Sequence, residues 1–454
     1  MNPDNVLIIY ITSETTFYSY CSSKYSTSSI DIQNVPTYLT YKFNEYSIPA
    51  KDKFINYNEI NLFDYNTFKK DLENINNNKT INMFCIFIKL LIEKCKREYL
   101  NFDIDNIAIC LEYNIVKNYK ELLVSVLNVF RENNLFTIEI NKNNNLISNI
   151  YILNEYFGNN YKILMSLPQE FIEKYQNMIN VNINSDSLEI FISKLDETKQ
   201  KIILKDTILT NDISSIIYKN HIIKFLLVYI QEQLPDFHNI EIEKVYSRFI
   251  EYLCYDLKCD ITLEIDNNNE VQIIDIDIDE VNQMLNNISK DLNDYIINVV
   301  NRFPKEKSLI FFTGKLFNIE IFRNKVIDNL NYKFINMNNK SQTAIEGYNL
   351  LIRRKKIDLS NMICDNYQNT EIIMQIKNEV LNIVNKITIM NKIKHICSRI
   401  SNIINIMIKS EKYKDQVNKL KSELRTINKM KNHGEVSDNT LNYLLRKLYE
   451  LEKY

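Results

Sequence analysis

The sequence predicts an α/β chain with an all-helical C-terminal segment. Three observations carry that prediction. Short apolar runs of strand length recur at Val6–Ile11, Ile104–Leu111 and Leu309–Phe312. Between them lie longer stretches whose apolar residues repeat at helical spacing, as over Ile81–Glu98 and Val281–Val300. From Lys355 onward the strand pattern stops and only helical periodicity remains.

The elements follow in order. Val6–Ile11 reads as a buried strand, Thr15–Tyr20 as an alternating one, and Thr37–Phe43 as a third after Val35-Pro36. Asn44 to Asn78 is polar and irregular. Ile81–Glu98 is a helix with Ile81, Phe84, Cys85, Ile88, Leu91 and Ile92 on one face. Ile104–Leu111 is a strand and Tyr119–Glu132 a helix. Thr137–Ile140 reads as a strand and Asn149–Leu153 as a helix start. Leu188–Leu195 and Lys201–Leu209 look like paired strands, and Ser214–Gln233 and Ile242–Leu257 like helices. Asp260–Ile265 and Glu270–Ile276 flank Asp266-Asn267-Asn268-Asn269, a hairpin signal. Ile319–Asn329 and Thr343–Arg353 are helices after the strand Leu309–Phe312. The C-terminal helices are Glu371–Ile389, Lys392–Ser410, Tyr413–Met430 and Asn439–Lys453, with Ile393, Ile396, Ile400, Ile403, Ile404 and Met407 forming the core stripe of a small bundle.

Composition excludes several functions. A net charge of −2 gives no electrostatic reason to expect nucleic acid or a membrane as partner. Only four glycines occur in 454 residues. Loops that cradle phosphate need glycine where backbone amides approach the ligand, so few such loops fit this chain. Eight cysteines form no CxxC pair and several lie in apolar runs, which indicates buried free thiols in a reducing compartment. Cys254 and Cys259 lack a His or acid cluster to complete a metal set, so no metal site is predicted. Val6–Ile11 is too short for a signal peptide and lacks a basic flank, and no run approaches a membrane span. The expected location is cytoplasmic. The four histidines are dispersed; His221 and His395 read as core or boundary residues. Asp275-Ile276-Asp277-Ile278-Asp279 reads as an alternating strand edge rather than a metal loop.

The order of motifs resembles one family. Val35-Pro36-Thr37-Tyr38-Leu39-Thr40-Tyr41 is similar to T-P-S-Y-V-A-F, Asn106 to Tyr113 to a strand ending V-P-A-Y-F, and Ile152-Leu153-Asn154-Glu155 to I-I-N-E-P. Asp260-Ile261-Thr262-Leu263-Glu264-Ile265-Asp266 sits where that family has S-I-E-I-D. Ser308 to Ile319 resembles I-V-L-V-G-G-S-T-R-I-P, and Thr343 to Asn349 resembles A-V-A-Y-G-A-A. These are motifs of the seventy-kilodalton heat-shock chaperones. The resemblance implies an actin-like, two-lobed ATPase fold over residues 1–354, with lobes at about 1–180 and 181–354, followed by a lid-like helical bundle over 355–454. The family's peptide-gripping β-sandwich has no counterpart in the sequence.

The resemblance also places Thr15, Thr16, Asp186, Gly314 and Gly347 at nucleotide-binding positions, with ATP or ADP as the implied ligand. The motifs are degenerate. The first phosphate loop, D-L-G-T-T in the family, is Thr12-Ser13-Glu14-Thr15-Thr16 here, and Glu14 offers a carboxylate two positions away from the family's. The second, D-L-G-G-G-T, is Asn182-Ile183-Asn184-Ser185-Asp186-Ser187. The charged adenine clamp falls on Phe249, Tyr252 and Leu253. Ordinary turn and strand chemistry outweighs nucleotide contact for Thr15, Thr16, Asp186 and Gly314. The expected function is that of a non-hydrolysing co-chaperone or scaffold, a pseudo-ATPase of nucleotide-exchange-factor type acting on an active chaperone or ribosome-associated machinery. An ATP-binding folding chaperone with ATPase activity and an assembly protein retaining only the fold stand as alternatives.

Overall fold

The computed structural model describes residues 5–13, 15–22, 31–42, 45–49, 62–73, 78–98, 104–132, 147–184, 187–195, 202–234, 242–253, 260–267, 270–328, 330, 332–335, 343–353, 370–408, 414–432 and 437–451. The expected strand at Thr137–Ile140 lies outside them. Contacts divide the chain into two compact units, residues 1–154 with 352–454, and residues 155–351.

The first unit is built on strand β1 (Val6–Ile11), buried along its whole length. It pairs antiparallel with β2 (Thr15–Cys21), which pairs antiparallel with β3 (Gln33–Pro36). The strand read at Thr37–Phe43 is in fact shorter and lies elsewhere. Pairing with β2 stops at Pro36, and β4 (Thr40–Lys42) forms a separate hairpin with β5 (Glu45–Ser47). The stretch read as irregular contains helix α1 (Tyr65–Glu73). Asp64 starts it by accepting from Thr67 N (2.8 Å) and Thr67 Oγ1 (2.6 Å), an N-cap placed just before the first helical turn. Helix α2 (Asn78–Glu98) leads to β6 (Asn106–Leu111), parallel to β1. Helix α3 (Tyr113–Glu132) follows, then β7 (Asn149–Asn154), parallel to β6. The β7 segment is a strand rather than a helix start, because Ile150, Ile152 and their neighbours pair with β6 over its full length. Leu7, Ile9 and Ile11 share a core with Ile107, Ile109, Phe84, Ile88, Leu123 and Leu127.

The second unit begins with α4 (Glu155–Ser166) and α5 (Gln169–Lys174), then the antiparallel run β8 (Asn177–Ile183), β9 (Leu188–Leu195) and β10 (Ile202–Thr210). Helices α6 (Ser215–Gln233) and α7 (Ile242–Leu253) precede a hairpin of β11 (Ile261–Asn267) and β12 (Glu270–Ile276). Ser214 caps α6 and Asp277 caps α8 (Ile278–Val300), so the acidic run at 275–279 is a strand end followed by a helix cap. Strand β13 (Ser308–Thr313) lies parallel to β8, and after α9 (Glu320–Asp328) strand β14 (Lys333–Ile335) pairs parallel with β13. Helix α10 is Thr343–Arg353. The two main sheets share one plan. The order is β3-β2-β1-β6-β7 in the first and β10-β9-β8-β13-β14 in the second, with the same strand directions at each step.

The C-terminal segment starts with α11 (Thr370–Met407), a single 38-residue helix where two were expected. Its early part joins the first unit's core through Ile376, and Glu379 accepts a 2.6 Å bond from Asn82 Nδ2 of α2. Its later part forms a second core with α12 (Lys414–Asn432) and α13 (Asp438–Leu451). Ile393, Ile396, Ile400 and Ile404 pack there against Leu420, Leu424, Leu444 and Leu448. His221 and His395 are both exposed, not core residues. On α6 the buried stripe is Tyr218, Ile222, Leu226 and Ile230, and His221 falls one position off it. No described helix is long and apolar enough to cross a membrane.

Ile376→Ala should lower stability by about 2–5 kcal/mol, the cost of a large-to-small core change. Urea denaturation followed by far-UV circular dichroism measures it. An unchanged midpoint would show that α11 is not part of the first unit's core.

Candidate functional site

The two positions expected to hold phosphate are hairpin turns of the same construction. The β1–β2 pairing ends at Ile11 and Thr16, and the β8–β9 pairing at Ile183 and Leu188. In the first turn Thr12 N donates to Thr15 O (3.2 Å); in the second Asn184 N donates to Ser187 O (2.8 Å). Glu14, Ser185 and Asp186 lie outside the described residues.

The groups near the first turn are spent internally. The Thr12 hydroxyl donates to Thr15 O (2.7 Å) and accepts from Thr15 N (3.2 Å). A backbone amide that would face a phosphate in a glycine loop is thus turned onto a threonine side chain. Thr16 is fully buried and its hydroxyl shares a 2.8 Å bond with that of Thr37. Both threonines therefore serve the sheet.

Beneath the second turn lies a buried polar layer. The alternation Asn-Met-Ile-Asn-Val-Asn-Ile sends Ile179, Val181 and Ile183 into the apolar core and Asn180 and Asn182 to the opposite face. The Thr313 hydroxyl at the end of β13 is 2.9 Å from both Asn180 Oδ1 and Asn182 Oδ1. It has one proton, so it donates to one of them at a time. Asn182 Nδ2 has two protons for three acceptors in reach: Glu155 Oε1 (3.0 Å), Asn184 Oδ1 (3.0 Å) and, at 3.3 Å, Glu189 Oε2. Glu155 and Glu189 are both buried. A carboxylate removed from water needs such donors, and bonds to a charged acceptor are the stronger kind. Further along the same face Tyr156 bonds the Ser193 hydroxyl and its ring packs 4.4 Å from that of Phe191. Asn180 Nδ2 and Asn184 Nδ2 are buried without a hydrogen-bond partner among the described residues.

The two motif glycines have packing roles in the second unit. Gly314 adopts φ 99°, a conformation that L side chains rarely take, and a Cβ there would overlap the Ile183 carbonyl oxygen. Gly347 of α10 lies against the Gly158 carbonyl of α4, so closely that neither position has room for a Cβ. Lys162 and Glu346 form a 2.7 Å ion pair between the same helices. The clamp positions divide: Phe249 and Leu253 are buried core residues, whereas Tyr252 is exposed. Thr15 and Thr16 belong to the first unit, Gly314 and Gly347 to the second.

Chemically the described residues offer few reactive groups. No cluster of three or more His, Cys, Asp or Glu that could hold a metal ion is found among them. Cys21, Cys85, Cys95, Cys110 and Cys397 are free and buried. Burial pushes the Cys85 and Cys95 thiols well up, and that of Cys21 up against the opposing pull of Arg353. Thiolate nucleophiles are therefore disfavoured there. The layer of Glu155, Asn180, Glu189 and Thr313 is missed by motif reading. Its one sequence signal is the Asn-x-Asn alternation after Met178, which follows strand period although asparagine is a poor strand former. A scan against protein-family models finds no match to this chain, and neither does a search of curated proteins.

Thr313→Val should cost about 1–3 kcal/mol, because it keeps the shape but removes the one hydroxyl proton that two buried amide oxygens share. Thermal unfolding of the variant measures it. Thr313→Ser should retain most of the stability.

Proposed function

We propose that the chain is a divergent actin-like protein of heat-shock-chaperone type that no longer hydrolyses ATP and acts as a co-chaperone or scaffold. Its partner would be an active chaperone or ribosome-associated machinery. The repetition of one strand plan in two units supports the actin-like reading, in which each unit corresponds to one half of that fold. The lack of hydrolysis rests on one observation. At both turns where the family grips phosphate, Thr12, Thr15 and the Asn182 amide bond within the protein, as the Thr12–Thr15 and Asn182–Glu155 contacts illustrate. Glycine supports the same view. Gly314 and Gly347 match the family's motif, yet each serves a close backbone approach within the second unit.

A scaffold role needs only the fold and its surfaces. The residues of the second turn then act as structural polar groups. Asn182, where the family carries a magnesium-positioning acid, is a neutral amide that holds two carboxylates. In this reading residues 370–451 supply helical surface to the first unit and take the place of a substrate-gripping sandwich.

Titration calorimetry with Mg·ATP should give no binding heat up to about millimolar concentration, the upper end of ordinary substrate affinities. Micromolar binding would overturn the pseudo-ATPase reading in favour of an ATP-dependent chaperone. Stopped-flow release of fluorescent ADP from a seventy-kilodalton chaperone should accelerate in the presence of this protein. Unchanged release together with no complex on gel filtration would leave only the assembly role.

A further inference from the structure

The β11–β12 hairpin of the second unit is covered by the core on one face only. Leu263, Ile265, Ile274 and Ile276 point inward and are buried. Val271 and Ile273 point outward and are each 62% exposed, an unusual state for β-branched residues on a strand. The register pairs Glu264 with Ile273 and Thr262 with Asp275.

Two contacts fix the direction of the backbone groups. Gln233, the last residue of α6, uses its side-chain amide on the β12 backbone. Its Nε2 donates to Asp275 O (2.8 Å) and its Oε1 accepts from Asp275 N (3.3 Å). On the other strand Arg248 donates to Glu264 O. Both sets of groups therefore point away from the hairpin's own ladder. In an antiparallel pair this direction alternates along each strand. Val271 and Ile273 are in phase with Asp275, so their N–H and C=O groups also point to the outer edge of β12. No bond to them on that side is found among the described residues. Gln233 occupies the strand position beside Asp275, and beyond it the edge is unpaired among the described residues. An exposed edge of this kind is a template for a further strand.

Charge selects the occupant. Between Asp260 and Glu280 the chain has eight Asp and Glu residues and no Lys or Arg. Asp260, Glu264, Asp275, Asp277, Asp279 and Glu280 are exposed, and Glu264 and Asp275 flank Ile273 on the outer face. The nearby Arg248 sits at the opposite edge. A second copy of this hairpin would bring two acidic edges together, at a cost from like charge. We infer that the outer edge of β12 is a docking site for a basic, extended segment of another protein, added as a strand antiparallel or parallel to Val271–Ile273. Backbone bonds supply the affinity. Alternate side chains supply selectivity, apolar ones beside Val271 and Ile273 and a cationic one beside Asp275.

The test uses the full chain and a fluorescein-labelled peptide of alternating lysine and valine, read by anisotropy. The wild type should bind it, and binding should weaken about tenfold between about 0.02 M and 0.15 M salt, since exposed charges are screened over that range. Ile273→Lys, which blunts the edge at an exposed position, should abolish binding while leaving the unfolding midpoint unchanged. Ile406→Lys, at an exposed site of the first unit, should bind as the wild type does. A peptide methylated on alternate backbone nitrogens should not bind, nor should one of alternating glutamate and valine. Absence of wild-type binding, equal binding by Ile273→Lys, or equal binding of the methylated peptide would overturn the proposal. So would sedimentation of the wild type as a dimer that Ile273→Lys dissociates, which would assign the edge to a second copy.

Discussion

Each unit depends on one strand that is enclosed on both faces and both edges. In the first unit that strand is β1, and it meets the requirement with apolar residues throughout. In the second it is β8, which carries asparagines at positions 180 and 182 on its buried face. Burying an amide without partners is costly, so everything against that face must supply donors and acceptors. Thr313 on the neighbouring strand, Glu189 on the other side and Glu155 at the start of α4 do so. The polar residues of α4 then follow from β8, as does the turn at Asn184, whose side-chain oxygen completes the bonds of Asn182.

Glycine scarcity imposes a second constraint on the same region. A backbone can approach another backbone, or a phosphate, only where no Cβ intervenes. Gly158 and Gly347 are used where α4 meets α10, and Gly314 where the chain leaves β13 beside Ile183. These three positions permit the packing of the second unit. Both hairpin turns are left with side-chain-bearing residues, and hydrogen bonds join Thr12 to Thr15 and Asn184 to Ser187. The scarcity of glycine and the close packing of the second unit thus meet at the same few positions.

Much of the fold was legible because burial follows period. The strand at Leu309–Phe312, the hairpin after Asp260 and the helix over Thr343–Arg353 all lie where their patterns place them. The misses have local causes. Helix α1 is short and announced by the Asp64 cap rather than by a long apolar stripe. Helix α2 has Met83, Ile86 and Phe87 buried as well as its predicted face: Phe87 stacks on Phe63, and α11 approaches another side through Glu379 and Asn82. A one-faced reading of α2 left those contacts unexplained. Strand β8 was obscured by asparagines whose partners lie up to 133 residues away. No local pattern reveals such a bond. The buried carboxylates Glu155 and Glu189 were invisible for the same reason.

The sequence by itself determined the alternation of strands and helices, the helical C-terminal segment, and the absence of glycine from the stretches 12–16 and 182–187. Those features are set by side-chain period and by the presence or absence of a Cβ, which are local properties. The tertiary structure alone decided that Gly314 and Gly347 serve packing, that α11 joins the first unit's core, and that Val271 and Ile273 stay exposed on β12. Each depends on which distant backbone or side chain comes within a few ångströms. One-dimensional spacing carries no record of that proximity.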